Sequence, residues 1–437
     1  MKTLLLLAGR SKRFWPLSEK SLFSICGRTV LEHQIDRLRA AGLTDITLVV
    51  GAHNKAAAAA LFPQLPQIEQ RELDWGMRGA LLDALPSLGN GPVFIVSGND
   101  VIESSGYAAV RNAVADGADG ALLARTVDRY FPGGYLRVEE GRITNIVEKP
   151  GAGNEPSNLV NIVAHAHASA SALLAALKAA ASDRDDGYEV ALQSLLSAKR
   201  YVAVPYNGVW QPIKYPWHLL PLLDVLLRDV KPRISPSASV HPTAVIEGNV
   251  TLGDGVKVFP GACIMGPCVI GARTIVGNGA LVRGSSVGED CVIGFQSEVK
   301  CSVLSDHVWM HSTYVGDSVI GRNVSFGAGS VTGNLRLDEG EIHSLVGEER
   351  LPTGLTKFGT VIGADCRFGI HAGINPGMKI GAGCFVASGV ILAQDVPEAT
   401  FVSMKKGEVI LRPNTAKAPL PEARDAYKTS VVRGRGE

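Results

Sequence analysis

Three stretches of the sequence carry side chains whose chemistry exceeds what folding requires. The first is Leu7-Ala8-Gly9-Arg10-Ser11-Lys12-Arg13-Phe14-Trp15-Pro16-Leu17-Ser18-Glu19-Lys20, a cationic loop with a glycine, directly after an apolar run. Backbone amides in such a loop, with arginine and lysine beside them, suit a phosphate ligand, because phosphoryl transfer asks mainly for positioning and positive charge. The second is Ser97-Gly98-Asn99-Asp100, which ends another apolar run on a carboxylate. The third contains His311, followed by Tyr314 and later by Asn334. An imidazole takes and returns a proton near neutral pH, as acyl transfer to an amine requires. A solvated basic turn, a strand-end cap and a surface histidine are the non-functional readings of the three.

These groups need elements to hold them. Residues 1–230 alternate short apolar strands with helical stretches. Strands are predicted at Thr3–Ala8, Ile46–Val50, Val93–Ser97, Leu122–Ala124, Leu136–Val138 and Ile143–Val147. Helices are predicted at Thr29–Ala41, Ala168–Ala181 and Gly187–Ala198. The alternation implies an α/β domain with a mostly parallel sheet, whose ligands bind beyond the carboxyl ends of the strands. The loops after Ala8 and after Ser97 lie at such ends.

Near Pro232 the texture changes to a six-residue period. Ile234, Val240, Ile246, Leu252, Val258, Ile264, Ile270 and Val276 fall on one phase. Ile275, Leu281, Val287, Ile293 and Val299 follow with a one-residue slip. Val308, Tyr314, Ile320 and Phe326 resume the period, and Ile362, Phe368, Ile374, Ile380, Val386 and Leu392 finish it. Neither an α-helix nor an alternating strand gives this pattern. A triangular β-helix does: each side supplies one inward aliphatic residue, and stacked coils share one core. Three parts are therefore expected: an α/β domain over 1–230, a β-helix over 231–400 and a polar tail over 401–437. A polar insertion at 333–360 interrupts the β-helix, and the tail reads as disordered or as a surface wrap.

The first loop resembles the opening signature of sugar-1-phosphate nucleotidylyltransferases, with Ala8 and Gly9 at the nucleotide and Arg13 and Lys20 as catalytic cations. The resemblance continues through Gln70 and Gly76-Met77-Arg78-Gly79 at the base, and Asp100 at magnesium. It also takes in Gly133-Gly134-Tyr135, Glu148-Lys149-Pro150 and Asn161 at the sugar phosphate. Ser11 and Lys12 depart from the usual loop, Glu19 replaces a proline, and Pro212 stands where a second magnesium aspartate is usual. The segment from His311 to Asp338 resembles the C-terminal half of the bifunctional N-acetylglucosamine-1-phosphate uridylyltransferase/glucosamine-1-phosphate acetyltransferases, most closely their archaeal type. That resemblance covers the chain to about residue 398. It implies a Rossmann-like nucleotidyltransferase domain and a left-handed parallel β-helix of hexapeptide repeats. It also implies His311 as general base, and Arg283, Lys300, Tyr314 and Asn334 at the sugar phosphate. Ala364 and Ser388 fall at acetyl-CoA. The implied cofactor is Mg²⁺, the co-substrates acetyl-CoA and UTP, and the assembly a homotrimer.

Composition narrows the classes further. A formal charge of +1 argues against nucleic acid or a membrane surface as the main partner. Seven cysteines without a CxxC pair read as small apolar fillers in a reduced, cytoplasmic protein. Leu4–Ala8 is too short for a membrane span. Three readings remain open: the bifunctional enzyme, a single-activity nucleotidylyltransferase for another sugar with the β-helix as an oligomerisation module, and a non-catalytic sugar-nucleotide sensor.

Overall fold

A computed structural model describes residues 1–182 and 186–425. The chain divides into two compact units, Met1–Arg10 with Val30–Pro212, and Ser11–Thr29 with Ile213–Glu437.

The first unit is built on one sheet. Strands Val93–Ser97, Lys2–Leu6, Ile46–Val50 and Gln67–Glu69 lie side by side and parallel. All of Ile46–Val50 is buried, as in a strand covered on both faces. Beyond Val93–Ser97, the long strand Leu159–His167 runs antiparallel and pairs with both Gly120–Thr126 and Gly134–Glu139. Arg142–Glu148 closes that edge, and Tyr201–Pro205 runs parallel to Gly120–Thr126. Helix Val30–Ala40 buries Val30, Leu31, Gln34, Ile35 and Leu38, the stripe of an amphipathic helix. Helix Gly187–Ala198 has the expected limits. Its neighbour runs only from Ala170 to Ala179, because the Ser169 hydroxyl accepts the Ala172 amide and caps the start. The first strand likewise ends at Leu6, which leaves Leu7–Arg10 as loop.

The second unit contains the β-helix. Among the described residues, three stacked sheets of eight, ten and eight strands form its faces. On the first face, Ile234, Leu252, Ile270, Val287, Leu304, Ile320, Ile362 and Ile380 pair in one register column. On the second, Val240, Val258, Val276, Ile293, Met310, Phe326, Phe368, Val386 and Val402 do the same. The third carries Ile264, Val282, Val299 and Val315. Most of these side chains share a single buried core.

The columns correct the period read from sequence. Val282, not Leu281, and Val315, not Tyr314, enter the core. Met310, not Val308, holds the second-face column, although Val308 is buried beside it. Ile275 packs on the outside with Val292 and Trp309. The cause is coil length. The step from one coil to the next is 18 residues from Leu252 to Ile270, 17 from Ile270 to Val287 and 16 from Leu304 to Ile320. Short coils drop a residue at an edge, so a strict period of six drifts out of phase.

The outward row of the first face is also buried: Val269, Ser286, Val303, Val319, Val361 and Lys379. The segment Ser11–Thr29 covers part of it. The Cys26 amide donates to the Ser286 hydroxyl at 2.7 Å, and the Lys379 ammonium sits 4.7 Å from the Trp15 ring centroid. The 333–360 insertion folds into a hairpin of His343–Val346 and Glu349–Pro352. Thr400–Lys405 adds a parallel strand to the second face and turns back through the antiparallel strand Glu408–Pro413. Past it, the chain lies against the edge between first and second faces, where Asn414 donates to Gly383 O and Asn323 donates to Pro419 O.

Replacing Ile293 by alanine should cost about 2–5 kcal/mol in chemical denaturation, the usual cost of a cavity in a close-packed core. Leu281→Ala should cost well under about 1 kcal/mol, as half-exposed positions do. Equal losses would show that the corrected phase is wrong.

Candidate active sites

In the first unit, the strand ends carry the residues singled out above. Ala8 is buried and Gly9 is open: a Cβ built on Gly9 meets nothing within 4 Å. Gly98 is different, since its Cβ would stand 2.6 Å from Leu6 O, so only glycine lets the two strand ends pass. Gln70 is buried, and its Nε2 donates to Glu72 O at 2.8 Å and to Gly76 O at 2.9 Å. Both amide hydrogens are thus held by the turn that enters helix Gly76–Ala84, and the side chain offers a ligand an acceptor. Gly76 opens that helix at φ 52°, a left-handed value that favours glycine.

Asp100 opens a short strand that pairs antiparallel with Trp210–Pro212. Pro212 stands directly opposite Asp100, and the Trp210 indole N–H donates to Asp100 Oδ1 at 2.8 Å. Directly opposed residues bring their Cβ atoms within about 5.5 Å. Position 212 therefore faces the carboxylate with a ring that can neither accept nor ligate.

Glu148 pairs with Gly134, and Tyr135 with Val160, so Gly134, Glu148 and Asn161 occupy neighbouring strand ends. A Cβ on Gly134 would lie 3.2 Å from Glu148 Oε2. Glu148 also pairs with Lys149 at 2.8 Å. Asn161 Oδ1 sits 2.6 Å from His165 Nε2. Behind it, sequence reasoning missed a buried chain of His165, Tyr188, His167 and Tyr201. The two histidines and the tyrosine Tyr201 were visible in the sequence, but nothing in their spacing tied them to Asn161. Arg13 and Lys20 belong to the second unit, in the segment that covers the β-helix. There the Arg13 guanidinium lies 6.0 Å from the Tyr215 ring centroid.

On the β-helix, the third face gathers four expected residues. Arg283 and Lys300 are register neighbours on adjacent coils, as are Glu298 and Tyr314. Arg283 Nη2 pairs with Glu298 at 2.6 Å, and Lys300 Nζ with Asp317 at 2.7 Å. Asn334 Nδ2 donates to the Tyr314 hydroxyl at 3.0 Å and to Asp317. Burial is the largest single influence on Lys300 and lowers its pKa, but the hydrogen bond and charge of Asp317 together raise it above the ordinary value. Asp317 and Glu298, not singled out from sequence, are what hold the two cations and the amide in place. The Gly316-Asp317 pair was a usable signal, since Asp317 turns the edge at φ 46°.

His311 is exposed at the edge between second and third faces, three residues before Tyr314. Ser388 lies on that same edge and Ala364 on the edge between first and second faces. From the His311 coil to the Ser388 coil is three strand spacings, about 14 Å. Ala364 and Ser388 are not brought together within one chain. Phe295 (58% exposed) and Ile370 (53%) lie on the edge that carries His311. No described helix is long and apolar enough to cross a membrane.

Residues 2–213 match the model of the nucleotidyl transferase family. That match spans just under half of the chain. Residues 231–327 match the GMPPB C-terminal domain model. The chain is also similar along its length to curated proteins. Bifunctional protein GlmU of Methanococcus vannielii is 28% identical over 429 residues, 94% of this chain and 99% of that protein. The protein of the same name in Methanocaldococcus jannaschii is 28% identical over 427 residues, again 94% and 99%. The bifunctional sugar-1-phosphate nucleotidylyltransferase/acetyltransferase of Sulfurisphaera tokodaii is 29% identical over 413 residues, 92% and 99%.

The first unit should be acid-labile. Burial lowers the His167 pKa to about 3, whereas an unfolded histidine titrates near about 6.5. Between those values the unfolded chain binds a proton that the folded chain refuses. Stability should therefore fall as pH drops from about 6.5 toward 3, by up to about 1.4 kcal/mol per pH unit for this residue. Denaturant midpoints across that range measure it, and the slope should shrink in His167→Gln.

Proposed function

We propose that the chain is a bifunctional sugar-phosphate enzyme. Its β-helix would acetylate the amine of glucosamine-1-phosphate from acetyl-CoA. Its N-terminal domain would transfer uridylyl from UTP to N-acetylglucosamine-1-phosphate, giving UDP-N-acetylglucosamine and pyrophosphate. The observation that carries the reading is the third-face cluster of Arg283, Lys300, Tyr314 and Asn334 beside the His311 edge, in a chain similar over nearly its whole length to proteins named for both activities.

For acetylation, the cluster supplies cations for the phosphate, and hydroxyl and amide groups for the sugar. The amine attacks the thioester carbonyl, the C–N bond forms, the C–S bond breaks, and CoA leaves as the thiol. His311 takes the amine proton. Ala364 and Ser388 are assigned to acetyl-CoA. They sit on different edges of one prism, which suits a site shared between copies in a homotrimer. The exposed Phe295 and Ile370 beside His311 support such a contact, since apolar surface favours burial.

For nucleotidyl transfer, a phosphate oxygen of the sugar phosphate attacks the α-phosphorus of UTP, and the bond to pyrophosphate breaks. Arg13 and Lys20 are assigned to the charge on the phosphates, Ala8 and Gly9 to main-chain contacts with them, and Gly76 to the base. The acceptor left on Gln70 matches the N3–H of uracil. Gly134, Glu148 and Asn161 are assigned to the sugar phosphate.

A divalent cation, Mg²⁺, is the expected cofactor. Among the described residues no three His, Cys, Asp or Glu side chains cluster as a metal site. Asp100 alone fits an ion that takes most of its ligands from phosphates and water, and such an ion would neutralise phosphate charge. Pro212 opposite Asp100 favours a second reading, in which the N-terminal domain binds a nucleotide or sugar phosphate without transferring it.

Two assays separate the readings. With glucosamine-1-phosphate and acetyl-CoA, thiol release should be lost in His311→Ala by at least about a hundredfold, the usual value of a general base, and kept in Asp100→Ala. With UTP, Mg²⁺ and N-acetylglucosamine-1-phosphate, pyrophosphate release should show the opposite pattern. Wild-type protein that releases thiol but no pyrophosphate establishes the second reading. Undiminished thiol release by His311→Ala removes that residue from the mechanism.

A further inference from the structure

The core of the N-terminal domain holds a polar chain that stability does not explain. His165 and His167 are fully buried, Tyr188 and Tyr201 almost so, and Asn161 nearly so. Apolar side chains of similar volume would fill this space without any hydrogen bond to satisfy. The links run without a gap: Tyr201 hydroxyl to His167 Nδ1 at 2.8 Å, His167 Nε2 to Tyr188 hydroxyl at 3.2 Å, Tyr188 hydroxyl to His165 Nδ1 at 2.6 Å, and His165 Nε2 to Asn161 Oδ1 at 2.6 Å.

We propose that Tyr201, His167, Tyr188 and His165 form a one-way hydrogen-bond relay that locks Asn161 with its Nδ2 turned outward, so that this residue donates to an oxygen of the bound sugar phosphate. The proposal rests on the reading of Gly134, Glu148 and Asn161 as that ligand's site.

The direction follows from counting hydrogens. Burial keeps both histidines neutral, so each ring donates from one nitrogen and accepts at the other. Among the described residues, the Tyr201 hydroxyl has His167 as its one hydrogen-bond partner. If His167 Nδ1 donated to Tyr201, the Tyr201 hydrogen would have no acceptor in the core, at a cost no buried group readily meets. Tyr201 therefore donates to His167 Nδ1. His167 Nε2–H then donates to Tyr188, Tyr188 O–H to His165 Nδ1, and the one remaining N–H of His165, on Nε2, to Asn161 Oδ1, with the Ile162 main chain as a second acceptor for that ring.

Each link forces the next, and the last fixes the amide. A free asparagine can present either its oxygen or its nitrogen by a half-turn about its terminal bond. Here the oxygen is bound from behind. The Nδ2 hydrogens have no protein acceptor among the described residues, although Asn161 is nine-tenths buried. A donor so placed matches a phosphate or hydroxyl oxygen and repels a donor. His165, Tyr188, His167 and Tyr201 touch no ligand, so they are positioning residues.

Neutron diffraction of the deuterium-exchanged full-length protein reads the direction without reference to activity. Deuterium is expected on Nε2 of both His165 and His167, and none on their Nδ1. Deuterium on Nδ1 of either ring overturns the relay. Calorimetric binding of N-acetylglucosamine-1-phosphate to the full-length protein reads the consequence. Tyr188→Phe removes the central hydroxyl and frees the amide to turn. Affinity for the sugar phosphate should fall about tenfold, on the scale of one hydrogen bond's worth of alignment, while UTP affinity and acetyl transfer stay within about twofold. Tyr201→Phe, at the far end, should give a smaller loss with the same selectivity, and it serves if Tyr188→Phe does not fold. Equal losses for UTP and sugar phosphate, or no loss in a folded variant, overturn the positioning role. If wild-type protein binds no sugar phosphate but shows the expected deuterium pattern, the relay stands and the assignment of its site fails.

Discussion

The register of the stacked coils is the constraint on which the second unit depends. Each coil can bury its inward side chain only if the coil above places its own directly on top, so one column of aliphatic residues fixes the rungs on every face. Outward positions are fixed by the same rule. Arg283 and Lys300 become neighbours because Val282 and Val299 are neighbours, and Glu298 meets Tyr314 because Val299 meets Val315. The cationic cluster is thus a by-product of core registry and needs no special loop to assemble it. The ion pairs to Glu298 and Asp317 then hold the long side chains upright, a preorganisation that flexible lysine and arginine lack by themselves.

The cluster sits where coil length changes. From Ile270 to Ile320 the step shrinks from 17 residues to 16, and the edges there turn on Asp290, Gln296, Cys301, His307, Ser312, Asp317 and Asn323, all with positive φ. Elsewhere glycines such as Gly255, Gly261, Gly383 and Gly389 take those turns. Substituting a side chain for glycine at such a turn costs backbone strain. At Asp317 the strain has a visible return, since its carboxylate binds Lys300 and Asn334 from the turn itself.

Much of this was legible in the sequence. The strand–helix alternation located Ile46–Val50, Val93–Ser97 and Gly187–Ala198, and the six-residue period exposed the prism. The phase failed at Tyr314 because a fixed period cannot register a dropped residue, and at Leu281 because the slip was read one strand too early: the coil keeps 18 residues from Ile264 to Val282 and shortens only between Val282 and Val287. That error concerns the site directly, since Tyr314 misread as core is a hydroxyl displayed beside Asn334. The motif residues near Gly134 and Asn161 could be placed by resemblance. Their support from His165 and Tyr188 could not, because the link depends on side chains meeting across a sheet and a helix. The consequence of Pro212 was half visible: its identity was plain, but its position opposite Asp100 required the strand register.

The hairpin at the end of the β-helix also limits what the prism can become. A stack of parallel coils exposes a row of unsatisfied main-chain groups at its last rung, an invitation to further strands from other molecules. Here Glu408–Pro413 runs against the grain of every coil beneath it. That strand carries charged Glu408 and Arg412 and ends on Pro413, which has no main-chain N–H, features that discourage a further strand from pairing with it.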